Sequence, residues 1–153
     1  MPKGNCMKAL VVYDSVAGNT EKVAQAIAAG LAGGAKAVRT GSPESKTVSG
    51  LSFLVVGSPT HGGRPTETVL KYLDSLPAAD LKALRVATFD TRVKAPFAKI
   101  FGYAADRMAS WFREKGSQES GSPTGFIVKG RKGPLLDGEL ERATSWGREL
   151  GGR

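Results

Sequence analysis

The sequence predicts a doubly wound α/β fold, in which helices cover both faces of one parallel sheet. Short apolar runs of strand length alternate about five times with stretches in which apolar residues recur every three or four positions. This alternation is typical of parallel strands joined by crossover helices. The chain has 153 residues, which is the size of one domain. We therefore expect a single domain over residues 1–153.

The first half of the chain is predicted to supply three strands and one helix. Ala9–Val12 is an apolar run that ends at a turn, which predicts a buried strand. Thr20–Leu31 predicts a helix, because its apolar residues fall at helical spacing and glycines follow it. Ala37–Arg39 predicts a short second strand. The polar segment Thr40–Ser49 then predicts a loop, and Leu51–Val56 predicts a third strand.

A second helix and a fourth strand are predicted in the middle of the chain. Pro65 suits the first turn of the helix, where its missing N–H group is not needed. The apolar residues Val69, Leu70 and Leu73 are expected to form the core face of this helix. The apolar run Leu84–Phe89 predicts the fourth strand.

The last third of the chain is predicted to hold two helices and a fifth strand. Tyr103–Lys115 predicts a helix, Ser117–Thr124 a linker rich in Ser, Gly and Pro, and Phe126–Lys129 the fifth strand. A glycine-rich loop leads to the last helix. The residues expected to face inward from these two helices are Met108, Ala109 and Phe112, and then Leu140, Ala143, Gly147 and Leu150.

Composition and charge limit the class of function. Apolar residues make up 41% of the chain, but none of the apolar runs approaches the ~18 residues of a membrane span. The single cysteine, Cys6, cannot form an internal disulfide, so we expect a reducing, cytoplasmic location. The net charge is +8, and residues 82–153 carry 14 basic and 8 acidic side chains.

This excess of positive charge favours acidic partners. The basic residues are scattered, and the densest segment, VKGRKG at Val128–Gly133, has no interleaved aromatic residues. We therefore expect no nucleic-acid binding. A solvated basic surface without a partner is the simpler alternative.

Three loops at predicted strand ends have unusual compositions: Asp14–Asn19, Gly57–Arg64 and Asp90–Phe97. In doubly wound sheets, ligands bind beyond the carboxyl ends of the strands. The segment Ser15–Thr20, SVAGNT, combines hydroxyl groups, a glycine and the start of a helix. Free N–H groups and the helix dipole attract an anion there, which predicts a phosphate site. A capped strand–helix turn without a ligand would use the same residues.

The same loop argues against several kinds of phosphate site. It contains no GxxxxGK[ST], no GxGxxG and no cysteine, the signatures of nucleotide P-loops, dinucleotide sites and Cys-dependent phosphatases. Gly57 and Ser58 stand where a receiver domain would need its phosphoacceptor aspartate. A neutral cradle for one phosphate monoester remains. The sequence predicts no catalytic acid–base pair, nucleophile or metal site.

The stretch VVYDSVAGNTEKVAQAI resembles the FMN-phosphate loop of the flavodoxin family. Eight positions match at fixed spacing: Val11, Val12, Tyr13, Ser15, Gly18, Thr20, Ala24 and Ile27. The likeness extends along the chain in the order and length of its elements, and is to the short-chain form. It implies a flavodoxin-like three-layer α/β/α fold with a five-stranded parallel sheet of order 2-1-3-4-5, and FMN as the cofactor.

The resemblance also implies that the loops after the third and fourth strands hold the flavin ring. Thr60 matches a position that helps to hold the ribityl chain and phosphate, and His61 stands where flavodoxins often carry Trp. The segment FDTRVKAPF departs from the family's acidic stretch and stacking Tyr, and Phe97 either covers the ring or packs in the core. The residues expected at the cofactor are Ser15, Val16, Ala17, Gly18, Asn19, Thr20, Pro59, Thr60, His61, Gly62, Gly63, Phe89, Asp90, Thr91, Arg92 and Phe97.

The resemblance implies an FMN-binding electron-transfer protein that serves redox partners, which the basic charge predicts to be acidic. Arg92 or Lys94 near the ring would favour the anionic reduced flavin, which predicts a less negative reduction potential than in acidic flavodoxins. An FMN-dependent NAD(P)H:quinone-type oxidoreductase is an alternative, and a flavin-free partner-binding module is another. The segment Gly133–Ala143 receives no predicted role.

Overall fold

A single parallel sheet forms the centre of the computed structural model, which describes residues 8–31, 33, 35–94 and 102–152. All described strand pairs are parallel. The strands are β1 (Ala9–Tyr13), β2 (Lys36–Arg39), β3 (Phe53–Pro59), β4 (Arg85–Val93), β5 (Gln118–Glu119) and β6 (Thr124–Val128). Their order is β2-β1-β3-β4, with β5 and β6 both paired to β4. The predicted order 2-1-3-4-5 is therefore confirmed, and the fifth position holds two strand segments.

Helices cover both faces of the sheet, which gives the predicted three layers. The helices are α1 (Asn19–Gly30), α2 (Glu67–Asp74), α3 (Ala78–Ala83), α4 (Ala104–Glu114) and α5 (Glu139–Gly151), and a short 3₁₀ helix spans Pro43–Lys46. None of the helices in the described residues is long and apolar enough to cross a membrane.

Two apolar cores lie on opposite faces of the sheet because successive strand residues point in opposite directions. Val12 and Val56 pack with α2, α3 and α4, whereas Val11 and Val55 pack with α1 and α5. All four valines are fully buried. The burial of strand residues on both faces explains why the sequence shows continuous apolar runs and not alternating ones.

Helix α2 begins later than predicted, and its core face is rotated. The Thr66 side chain accepts a hydrogen bond from the Val69 N–H group at 3.4 Å, which makes Thr66 the N-cap and places Pro65 outside the helix. Leu70 is 39% exposed, whereas Tyr72 is buried. The prediction that Leu70 faces the core is wrong because Val69, Tyr72 and Leu73 form the buried stripe. The prediction that Leu140 of α5 faces inward is also wrong, because this residue is 40% exposed.

Two strand boundaries also differ from the prediction. Strand β4 continues four residues beyond the apolar run and ends at Val93, so Asp90, Thr91 and Arg92 belong to a strand and not to a loop. The predicted linker 117–124 contains β5, which pairs with the start of β4. Polar residues hide both segments from an apolar pattern, although their backbones pair with neighbouring strands.

Candidate functional site

A cleft of about 930 Å³ lies at the carboxyl ends of the central strands. Its walls come from the loops after β1, β3 and β6, the end of β4 and the residues just before α4. The structure thus brings together residues from all three loops that the sequence singled out. Of the predicted site residues, those that line the cleft are Val16, Ala17, Asn19, Thr20, Pro59, Thr60, His61, Gly62, Gly63, Thr91 and Arg92.

Ser15 shapes the loop between β1 and α1. Its hydroxyl oxygen accepts hydrogen bonds from the Gly18 N–H group at 3.0 Å and the Glu21 N–H group at 3.3 Å. Gly18 has φ +95°, a conformation that glycine adopts without steric cost, and it immediately precedes α1. Ser15 is nearly buried and does not line the cleft, so its oxygen organises the turn from behind.

Four backbone N–H groups of this loop have no acceptor among the described residues: those of Val16, Ala17, Asn19 and Thr20. All four residues line the cleft, and two of them open α1. Unpaired N–H groups at a helix N-terminus form a site for an anion. The cradle contains no basic side chain, and its donors fit the terminal phosphate of a monoester such as FMN.

Threonines from three elements connect the floor of the cleft. The hydroxyl oxygens of Thr20 and Thr91 lie 2.8 Å apart, which links α1 to β4. The Thr60 N–H group donates to the Thr91 carbonyl at 2.9 Å, and the Thr60 hydroxyl accepts from the Ala104 N–H group at 3.0 Å. Thr60 therefore positions the start of α4 as well as lining the cleft.

A tight turn after β3 forms the rim that carries the only histidine of the chain. His61 and Arg64 exchange backbone hydrogen bonds at 2.9 and 3.1 Å, and Gly62 and Gly63 have φ values of +59° and +80°. The Arg107 Nε atom donates to the Gly63 carbonyl at 2.7 Å, which ties the turn to α4. His61 is exposed at the mouth, where its imidazole is accessible to a bound ligand.

The prediction that Phe89 contacts the cofactor is wrong for its side chain. Phe89 is fully buried, and its ring lies edge-on to Phe126 and Trp146 at centroid distances of 6.2 and 6.3 Å. Its ring also fills the space where Gly57, its partner across β3 and β4, has no side chain. Phe97 lies outside the described residues.

Asp90 is also enclosed behind the wall of the cleft, contrary to the prediction that it faces a cofactor. Its carboxylate is fully buried, and it accepts hydrogen bonds from Arg92 Nε at 2.7 Å, Arg92 Nη2 at 2.8 Å and the Ala105 N–H group at 2.9 Å. Burial raises the pKa of Asp90, and the Arg92 guanidinium opposes that rise.

Arg92 therefore does not present a free positive charge, which corrects the basis of the redox hypothesis. Its guanidinium is paired with Asp90 and lies 3.5 Å from the centroid of the Tyr103 ring. The absence of a side chain at Gly125 leaves room for the Arg92 side chain. Asp90 lies behind Arg92 and offsets its charge, so the field of Arg92 at the cleft is weaker than that of a free guanidinium. Lys94 is exposed and does not line the cleft.

Five side chains of the described cleft lining are absent from the predicted set: Val93, Tyr103, Val128, Arg131 and Lys132. Tyr103 supplies an aromatic wall next to α4, six residues beyond Phe97, the last aromatic residue predicted at the cofactor. Arg131 and Lys132 lie in the segment VKGRKG, whose composition indicates a basic surface but not its position beside the cleft. Among the described residues that line the cleft, none is Asp or Glu.

Comparisons with known proteins agree with this geometry. A family model described as flavodoxin matches residues 11–146. A flavodoxin from the domain Archaea superimposes with a TM-score of 0.76 at 21% identity, over 95% of this chain and 97% of that one. Flavodoxin 1 from Bacillus cereus gives a TM-score of 0.74 at 19% identity, over 93% and 95%.

The same fold occurs within a larger protein. A flavodiiron core from Synechocystis superimposes with a TM-score of 0.74 at 21% identity, over 98% of this chain but only 36% of that one. No curated protein matches the sequence. At identities of 19–21%, the structural matches show only the shared fold. The evidence for a family relationship is the match to the family model.

Proposed function

Because the chain belongs to the flavodoxin family, whose members bind FMN, we propose that it carries electrons between redox proteins and that its partners are acidic. The observation that supports the proposal most strongly is the α1 loop, with four unpaired N–H groups and no basic side chain. FMN supplies the redox chemistry when bound, as an acceptor and donor of single electrons.

The residues of this chain bind and orient the cofactor. The N–H groups of Val16, Ala17, Asn19 and Thr20, which have no acceptor among the described residues, would hold the terminal phosphate. The turn at Gly62 and Gly63, two residues without side chains, lets the backbone approach the ring.

Tyr103 provides an aromatic wall whose ring is held by the guanidinium of Arg92. The ion pair with buried Asp90 fixes that guanidinium from behind. These contacts would keep Tyr103 in place beside the bound cofactor.

Charge at the mouth of the cleft favours an acidic partner. Among the described residues of its lining there is no carboxylate that would repel such a partner. The second half of the chain carries 14 basic and 8 acidic side chains. Such a field accelerates encounter with an acidic surface and loses its effect as salt is added.

An FMN-dependent reductase of quinones that uses NAD(P)H is the second candidate. The openness of the 930 Å³ cleft and the two cations at its rim favour it, because a nicotinamide dinucleotide carries phosphates. The described lining contains His61 and no Asp or Glu side chain, so it offers few acid–base groups for a catalytic step. This sparse set favours a carrier.

Electron exchange with two c-type cytochromes of opposite surface charge distinguishes the candidates. The FMN-loaded chain is reduced chemically and mixed in a stopped-flow instrument with an acidic or a basic cytochrome. A carrier for acidic partners reduces the acidic cytochrome faster at low salt, and the difference disappears at high salt. Equal rates at all salt concentrations contradict the acidic-partner proposal, and rapid NADPH-dependent reduction of a quinone supports the reductase.

A further inference from the structure

We infer that Arg131 and Lys132 bind the phosphate of the flavin cofactor and supply the positive charge that the α1 loop lacks. This role presupposes the FMN site proposed above and adds to it a second source of phosphate contacts. The two residues come from a hairpin between β6 and α5, far from the phosphate loop in sequence.

The hairpin presents both side chains at its tip. Val128 and Leu135 form an antiparallel bridge, and the Lys129 N–H group donates to the Pro134 carbonyl at 2.8 Å. The Gly133 N–H group then donates to the Gly130 carbonyl at 2.9 Å, which closes a four-residue turn. Arg131 and Lys132 are the two central residues of that turn, so both project from the end of the hairpin.

Contact with the first residue of α1 places the tip beside the phosphate loop. A side chain at Gly133 would meet the Asn19 side chain, with its Cβ atom 2.5 Å from Asn19 Nδ2. The missing side chain of Gly133 therefore permits this close approach, and its φ of +93° also favours glycine. Arg131 and Lys132 consequently line the same cleft as Val16 and Ala17.

Neither Arg131 nor Lys132 forms an ion pair with a carboxylate of the described residues. The described ion pairs involve Arg39, Arg92, Arg113 and Arg142, and both Arg131 and Lys132 are exposed. A phosphate monoester carries close to two negative charges at pH 7, and Arg offers it paired N–H donors. The neutral α1 loop satisfies the hydrogen bonds of that group, and the hairpin tip satisfies its charge.

Fluorescence titration of the flavin-free chain with FMN and with riboflavin, which lacks the phosphate, tests this role. The variant is Arg131→Gln/Lys132→Gln, and the matched control is Lys129→Gln, an exposed lysine of the same hairpin that does not line the cleft. We expect the double variant to raise the Kd for FMN about tenfold, the size of a partly exposed charge contact, and to leave the Kd for riboflavin unchanged. Added salt should weaken FMN binding to the wild type more than to the variant.

Three outcomes overturn the inference. An unchanged Kd for FMN in the double variant means that the cations do not reach the phosphate. An equal loss for FMN and riboflavin, or the same loss in Lys129→Gln, means that the substitutions disturb the hairpin. If the double variant binds FMN normally but reduces an acidic cytochrome more slowly than the wild type, the two cations contact a protein partner and not the phosphate. Failure of the wild type to bind FMN is a separate result, because it removes the proposed function itself.

Discussion

Arg92 pairs with the buried Asp90 through two hydrogen bonds, at 2.7 Å from Nε to Oδ1 and 2.8 Å from Nη2 to Oδ2. The side chain of Asp90 is fully buried, and that of Arg92 is 18% exposed. The pair lies between the sheet and Tyr103, so it forms the support of one cleft wall. Because Asp90 offsets the charge of Arg92, the unpaired positive charge of the described cleft lining lies on Arg131 and Lys132 at the hairpin tip.

Loss of Arg92 should destabilise the chain by about 3 kcal/mol, because it leaves a buried carboxylate without its counter-charge. We expect Arg92→Ala to show this loss in urea unfolding at pH 7.5. The double variant Asp90→Asn/Arg92→Gln, which removes both charges, should recover much of it. A double variant as unstable as Arg92→Ala would contradict this explanation.

The loss of stability that Arg92→Ala causes should become smaller as the pH falls. Burial already raises the pKa of Asp90, and loss of the guanidinium raises it further. Between the unfolded pKa near 3.8 and the higher folded pKa, the folded state binds more protons, so stability decreases as the pH rises through that window. Unfolding at pH 4.5 and pH 7.5 measures the difference, and an equal deficit at both values would argue against a titrating Asp90.

Glu139 should give the opposite pH dependence. Its carboxylate accepts hydrogen bonds from Arg142 and from the Ile127 N–H group, and the Arg142 contact is the main cause of its lowered pKa. A lowered folded pKa contributes stability above the unfolded value near 4.5, and that contribution is lost as the pH falls through the folded value. Glu139→Gln should make the free energy of unfolding less dependent on pH in this acid range. It should also lower the free energy of unfolding by about 1–2 kcal/mol at pH 7. A variant whose stability falls at acid pH as steeply as that of the wild type would contradict this role of Glu139.

Replacement of Tyr72 by Phe should leave stability unchanged or raise it by about 1 kcal/mol. The Tyr72 hydroxyl is buried without a hydrogen-bond partner among the described residues. Burial also raises the pKa of this phenol, so it stays neutral. Thermal unfolding of Tyr72→Phe measures the effect. A loss above about 1 kcal/mol would show that the hydroxyl has a bonded partner in the folded chain.

Gly147→Ala should cost about 1–3 kcal/mol by separating α1 from α5. A methyl group at Gly147 would collide with the Ile27 carbonyl, and one at Gly30 would collide with the Thr144 carbonyl. The two glycines therefore set the closest approach of these helices, and α1 carries the phosphate loop. The control is Gly152→Ala, whose Cβ atom would meet its nearest neighbour at 3.5 Å. Equal stability of the two variants would contradict this packing argument.

The fold and the first loop were predictable because they depend on local patterns. Apolar runs predict the strands of a sheet that is buried on both faces, and Val11 and Val12 confirm this by packing on opposite sides. The turn at Gly18 combines a free helix start with a glycine conformation, and both follow from residue types next to each other in the chain.

The other walls of the cleft were not predictable in the same way. Asp90 and Arg92 occupy alternate positions of a strand and therefore point to the same side, but their polarity resembled a loop. The approach of Gly133 to Asn19 joins distant parts of the chain, so no spacing in the sequence reveals it. The role of Arg131 and Lys132 follows only from that tertiary contact.

Titration of the purified chain with FMN, monitored by the absorption bands of the flavin, tests whether the chain holds a flavin by its phosphate. We expect saturation at one FMN per chain, with riboflavin bound at least about 100-fold more weakly because it cannot use the N–H groups of the α1 loop. Equal affinity for FMN and riboflavin, or no saturable change in the flavin spectrum, would contradict a phosphate-anchored flavin site.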